Sequence, residues 1–149
     1  MELVVFGLAV SSSWGNGHAT LWRGLIRALH RRGHRVTFFE RDVPYYAQHR
    51  DLTALPEGGE LVLYDDWDRV RGRACRALAR VDAAIVTSYC PDALPATALA
   101  EASTARRRVF YDLDAPVTIA RLRAGSNSSR STACCRSGAY VPRYDRSQR

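Results

Sequence analysis

At 149 residues, with 46% hydrophobic and 25% charged side chains, the chain can enclose a core and suits one globular domain. No apolar run approaches the roughly 20 residues that a membrane span needs. The net charge of +7 is uneven: residues 1–120 hold 15 Arg against 14 acids, and residues 121–149 hold 7 Arg against Asp145 alone.

The basic excess therefore belongs to the tail. With only Tyr140 and Tyr144 as aromatics and no recognisable motif, the tail reads as a solvated end, not a nucleic-acid surface. Glu2 stands where a signal peptide would carry basic residues before its apolar stretch, so the expected location is cytoplasmic. Cys75, Cys90, Cys134 and Cys135 form no Cys-x-x-Cys pair. Reduced thiols are expected, with no metal site.

Strand and helix patterns alternate along the chain. "ELVVFGLA" (2–9) is a short, nearly continuous apolar run, as in a strand buried on both faces. Residues 18–32 have helical spacing, with Leu21, Trp22, Leu25, Ile26 and Leu29 on one broad face. Gly33 stands where a helix ends on glycine. "HRVTFFE" (34–40) predicts a second strand, and Pro44 opens a short helix over "PYYAQHR". "ELVLY" (60–64) is a third strand, and residues 67–81 form an amphipathic helix. "DAAIVTSY" (82–89), "ALPATALAEAS" (93–103) and "RRVFYDLD" (107–114) complete the series as strand, helix and strand.

This alternation predicts an α/β, Rossmann-like doubly wound parallel sheet in the order 3-2-1-4-5. The domain is expected over 1–124, followed by a disordered, low-complexity basic tail over 125–149. Ligands of such sheets bind beyond the carboxyl ends of the strands. "SSSWGNGH" after strand 1, "SYCPD" after strand 4 and "DLDAP" after strand 5 should meet there.

The run "SSSWGNGHATLWRGLIRALHRRGHRVTFFERDVPYYAQHRDL" resembles the amino-terminal half of bacterial GT-B glycosyltransferases of the spore-maturation group. "VTSYCPDA" and "FYDLDAPVT" resemble the same group, in order and at the expected separation. The resemblance covers roughly residues 1–122. It implies transfer of a sugar from a nucleotide-sugar donor to a sugar or glycan acceptor, with no further cofactor. It also implies two Rossmann-like domains, of which the amino-terminal one shapes the acceptor side and the other holds most donor contacts. The text after "PVTIARLRAG" departs from that pattern, so a truncated or frameshifted chain that is inactive alone is the expectation.

Within this frame His18 is the candidate base for an acceptor hydroxyl, since imidazole titrates near neutral pH. Its alternative is a structural place at the helix start. Gly15 and Gly17 serve a sharp turn, direct ligand contact, or both, with Asn16 between them. Trp14 could stack on a sugar or pack the loop. Asp112 and Asp114 are candidates to orient His18, to bind sugar hydroxyls or to cap the following helix, with capping favoured for Asp114 and function for Asp112. Ser88, Tyr89 and Asp92 are candidate hydrogen-bonding groups in the cleft. Glu40, at the end of strand 2, would hold a ribose hydroxyl if the domain were an NAD(P)-binding oxidoreductase. Thr20, in place of the third glycine of GxGxxG, weakens that alternative. A non-catalytic fragment or interaction module is the third reading.

Overall fold

The structure, a computed structural model, describes residues 1–55, 59–112 and 114–126. Strands and helices alternate as β1 (Glu2–Gly7), α1 (Gly17–Arg31), β2 (Arg35–Arg41), α2 (Pro44–Ala47), β3 (Gly59–Tyr64), α3 (Trp67–Leu78), β4 (Ala83–Thr87), α4 (Ala93–Ala102), β5 (Arg107–Tyr111) and α5 (Ala115–Ser126). All strand pairs are parallel, and the order is β3-β2-β1-β4-β5. This is the Rossmann-like α/β sheet that the sequence predicts. No helix among the described residues is long and apolar enough to cross a membrane.

β1 lies at the centre, with Val5 level with Phe38 of β2 and Ile85 of β4. Its side chains alternate between two cores, which is why Leu3 to Phe6 are all buried. On one face Leu3, Val5, Val36 and Phe38 pack against Trp22 and Ile26 of α1. On the other, Val4, Phe6, Phe39 and Val62 pack against Val70, Ala74 and Leu78 of α3 and the alanines Ala93, Ala96 and Ala100 of α4.

The alternation of β2 has a functional consequence. Val36 and Phe38 face α1, so Glu40 points to the same face at the carboxyl end. The chain leaving β1 for α1 must cross that spot.

β1 stops at Gly7, two residues earlier than expected, and the Val10 and Ser11 N–H groups that follow bond to Glu40 instead of a neighbouring strand. Gly33 adopts φ +74° and its N–H donates to the His30 carbonyl at 2.8 Å, the helix stop that was expected. The buried stripe of α1 is narrower than its apolar pattern: Trp22 and Ile26 are buried, while Leu21 and Leu25 are exposed. β5 is exposed along its whole length. α5 continues to Ser126. The expected disorder from 127 onward lies outside the described residues.

Gly7 is required by packing. A Cβ on it would come within 2.6 Å of Phe38 Cζ and 3.4 Å of Thr87 Cγ2. Both neighbours are fully buried and cannot swing aside. Gly7→Ala should therefore destabilise the domain by about 1–3 kcal/mol, the usual effect of overpacking a core. Urea unfolding at neutral pH measures this, and an unchanged midpoint would show that Phe38 can shift.

Candidate functional site

The β1–α1 loop is built around a carboxylate. Glu40 is 1% exposed. Its Oε2 accepts from Val10 N at 2.7 Å and Ser11 N at 2.9 Å, and its Oε1 accepts from Ser11 Oγ at 2.5 Å. Burial pushes the carboxyl above its ordinary range, against the opposing pull of these bonds and of the Arg50 guanidinium. Buried N–H groups need acceptors, and this segment pairs with no strand. Glu40 supplies them.

A second clamp closes the loop from outside. Arg23 on α1 donates through Nε to the Val10 carbonyl at 2.9 Å and pairs with Asp51 at 2.5 Å. Asp51 also accepts from Ser13 Oγ and from Ser13 N. The Ser11 carbonyl accepts from the N–H groups of Asp51 and Leu52, and Ser12 Oγ donates to the His49 carbonyl. Asn16 then starts the helix. Its Oδ1 accepts from His18 N at 3.1 Å and its Nδ2 donates to the Ala9 carbonyl at 2.8 Å. Asn16 is thus an N-cap tied to its own loop. Gly15 supplies the positive φ, +58°, that the turn needs. Gly17 has a negative φ and opens α1.

This loop sets His18 at the carboxyl edge of the sheet. Its half-buried ring stacks on Tyr89 of the β4–α4 loop, with centroids 5.8 Å apart and planes 25° from parallel. Tyr89 Oη donates to Asp114 Oδ2 at 2.9 Å. The three loops therefore meet through His18, Tyr89 and Asp114. Among the described residues the His18 ring nitrogens make no hydrogen bond.

Both acids of "YDLDAP" take part in the start of α5. Asp112 Oδ1 accepts from Asp114 N at 3.1 Å and from Thr118 Oγ1 at 3.0 Å, so Asp112 fastens the start of α5. Asp114 holds the N-cap position through its backbone, its carbonyl accepting from Thr118 N, and sends its carboxylate to Tyr89.

Other candidates are structural. Ser88 is 2% exposed and its N–H donates to the Tyr111 carbonyl, so it lies beneath the cleft surface. Asp92 pairs with Arg41 at 2.8 Å, accepts from Tyr64 Oη at 2.9 Å and makes no side-chain cap to α4. It ties the β4–α4 loop to the ends of β2 and β3. Beside it the Cys90 thiol is fully buried and pushed up to about 12, mainly by desolvation, so it is an inert core group.

Trp14 is 57% exposed and stacks on His49 at 4.7 Å. Tyr45 of α2 meets His49 edge-on at 5.9 Å. This aromatic rim at the loop mouth joins two segments, and only Trp14 was legible in advance. The loop-holding roles of Glu40, Asp51 and Arg23 were also missed. Their signal is the polar run "SSS", whose backbone groups had to find partners elsewhere in the chain.

The chain matches no family model, no curated protein and no solved structure.

The Asp51 clamp sets a pH dependence. Hydrogen bonds from Arg23, then from Ser13, hold its carboxyl well below the ordinary 3.8. A depressed folded-state value means the stabilisation is complete above 3.8 and is lost as pH falls below it. Glu40 works in the opposite sense, since a raised value weakens the folded state as pH climbs through the interval above 4.5. Asp51→Asn should therefore be less stable than the parent at pH 6, and the gap should close toward about pH 2. Denaturant titrations at both pH values test this. A gap independent of pH would show that the Asp51 charge is immaterial.

Proposed function

We propose that this domain is the acceptor side of a GT-B-type glycosyltransferase, with His18 as the base. The observation that carries the reading is the placement of His18. A half-buried imidazole, stacked on a Tyr89 whose hydroxyl donates to Asp114, stands at the carboxyl edge with its ring nitrogens unbonded among the described residues. Such edges are where parallel α/β sheets bind ligands. The resemblance of "SSSWGNGH", "VTSYCPDA" and "FYDLDAPVT" to that group agrees with this placement.

In the reaction an acceptor hydroxyl oxygen attacks the anomeric carbon of the donor sugar. The bond to the nucleoside diphosphate breaks, and His18 takes the hydroxyl proton. The nucleotide sugar is held mainly by a second Rossmann-like domain across the cleft, so the domain by itself transfers little sugar. Trp14 and Tyr45 give the acceptor an apolar surface. No cofactor is needed for this displacement.

The dinucleotide alternative draws no comparable support. It needs the acid at the end of β2 turned toward a ribose, and Glu40 faces the β1–α1 loop with both oxygens engaged. A non-catalytic module differs from a transferase at His18, which it does not need.

The test joins this domain to a donor domain and measures sugar transfer. His18→Asn should lower turnover about 10²–10⁴-fold, the usual contribution of a positioned base, while nucleotide affinity and the fold persist. Unchanged turnover in a folded variant would make His18 a structural residue and remove the basis for the proposal.

A further inference from the structure

Among the described residues β5 is an open edge of the sheet, with an unusual surface. All five of its residues are exposed, and Val109, Phe110 and Tyr111 stand at 41%, 40% and 42% exposure. The opposite edge is guarded differently. β3 buries Val62 and Tyr64 and carries Glu60 in an ion pair with Arg73. Next to β5, Val117 and Ile119 of α5 are also exposed. An apolar strand edge with unpaired N–H and C=O groups is a template for another strand.

The backbone fixes which groups are on offer. Arg107 N donates to the Asp82 carbonyl, and the Tyr111 carbonyl accepts from Ser88 N. Residues 107, 109 and 111 therefore turn their polar groups inward to β4. Residues 108 and 110 turn theirs outward.

We infer that β5 is the contact of a symmetric dimer, pairing antiparallel with β5 of a second copy about a dyad at Val109. A dyad normal to the sheet keeps each side chain on its own face, so residues of like parity must oppose each other. One such register overlaps all five residues: Arg107 against Tyr111, Arg108 against Phe110, and Val109 against itself. The outward groups of 108 and 110 then exchange hydrogen bonds in two reciprocal pairs, with Val109 in the close non-bonded pair between them. Each arginine meets an aromatic ring of the other copy. Sliding the strands by one residue each toward the start of β5 sets Arg108 against Arg108. Sliding them the other way leaves only Val109–Tyr111 in overlap. Arg108 is already held by its own protomer, its guanidinium donating to the Ala100 and Ser103 carbonyls. A single five-residue pair is a small interface, and a dissociation constant on the order of 10 μM is expected.

Sedimentation equilibrium of the full chain from roughly 1 to 300 μM tests this, a range bracketing that constant. The parent should move from monomer to dimer. Val109→Lys should weaken association at least about tenfold, because two ammonium groups then meet at the dyad. Glu60→Lys, a larger change of charge in the same direction on the other edge, should leave it intact. In a mixture of isotope-labelled and unlabelled parent chains, Val109 methyls should show contacts to Val109 of the other copy. A parent that stays monomeric overturns the proposal. So does equal weakening by Glu60→Lys, association that survives Val109→Lys, or dimerisation that appears only after residues 127–149 are removed. Contacts centred on Arg108 would likewise refute the register.

Discussion

The hydrogen bonds between Glu40 and the backbone of Val10 and Ser11 decide the shape of the candidate site. A parallel sheet sends its chain out of the central strand at the edge where ligands bind, and there the backbone loses its strand partners. In this protein the loop is buried: Ala9, Val10, Ser11 and Ser12 are each at most 1% exposed. Two unsatisfied N–H groups in that setting would cost about 1–3 kcal/mol each. One buried carboxylate receives both, together with the Ser11 hydroxyl. Its desolvation opposes the arrangement and pushes the carboxyl up, and three hydrogen bonds with the nearby Arg50 charge offset only part of that cost.

From that anchor the geometry passes outward along the chain. With Val10 and Ser11 fixed, Arg23 and Asp51 close the outer side of the loop, and Asn16 caps the helix with His18 as its second residue. A comparable polar clamp acts on the adjacent loop. Asp92 joins Arg41 and Tyr64, so the ends of β2 and β3 hold the segment that carries Tyr89. Asp112 does the same for the start of α5 and hence for Asp114. The three residues that meet are thus presented by three loops, each tied down by its own carboxylate. Such rigid support is what the base role proposed for His18 requires, since catalysis depends on geometry held before substrate arrives.

Much of the architecture was legible because it follows from periodicity. "ELVVF" can only be a strand covered on both faces, and Leu3 to Phe6 are buried as that implies. Strand order followed from alternating β and α patterns and the handedness of crossovers. The convergence of three loops followed from topology alone. What the pattern could not give was the partner of each polar group. Asp112 and Asp114 are two residues apart in similar surroundings, and which one caps and which one reaches Tyr89 depends on the path of the turn between them. Glu40 had a role only in the dinucleotide alternative, as a ribose ligand, because its position at the end of β2 was visible while the loop folding onto it was not. Leu21 and Leu25 have helical spacing, yet they lie on the flank of α1 that the sheet does not cover. The exposure of β5 depends on the absence of a strand beyond it among the described residues, which composition does not reveal.

Amide hydrogen exchange at Val10 and Ser11 tests the central claim most directly, compared between the parent and Glu40→Met. Methionine matches the length of the side chain but offers these N–H groups no adequate acceptor, whereas glutamine could still accept through its carbonyl oxygen. In the parent, both amides should exchange as slowly as those of β1, although they belong to no strand. In Glu40→Met they should exchange about 10–100-fold faster, reflecting roughly 1–3 kcal/mol of lost local protection, while Val4 and Val5 stay slow. Fast exchange at Val10 and Ser11 in the parent, or rates unmoved by Glu40→Met in a folded protein, would contradict the account.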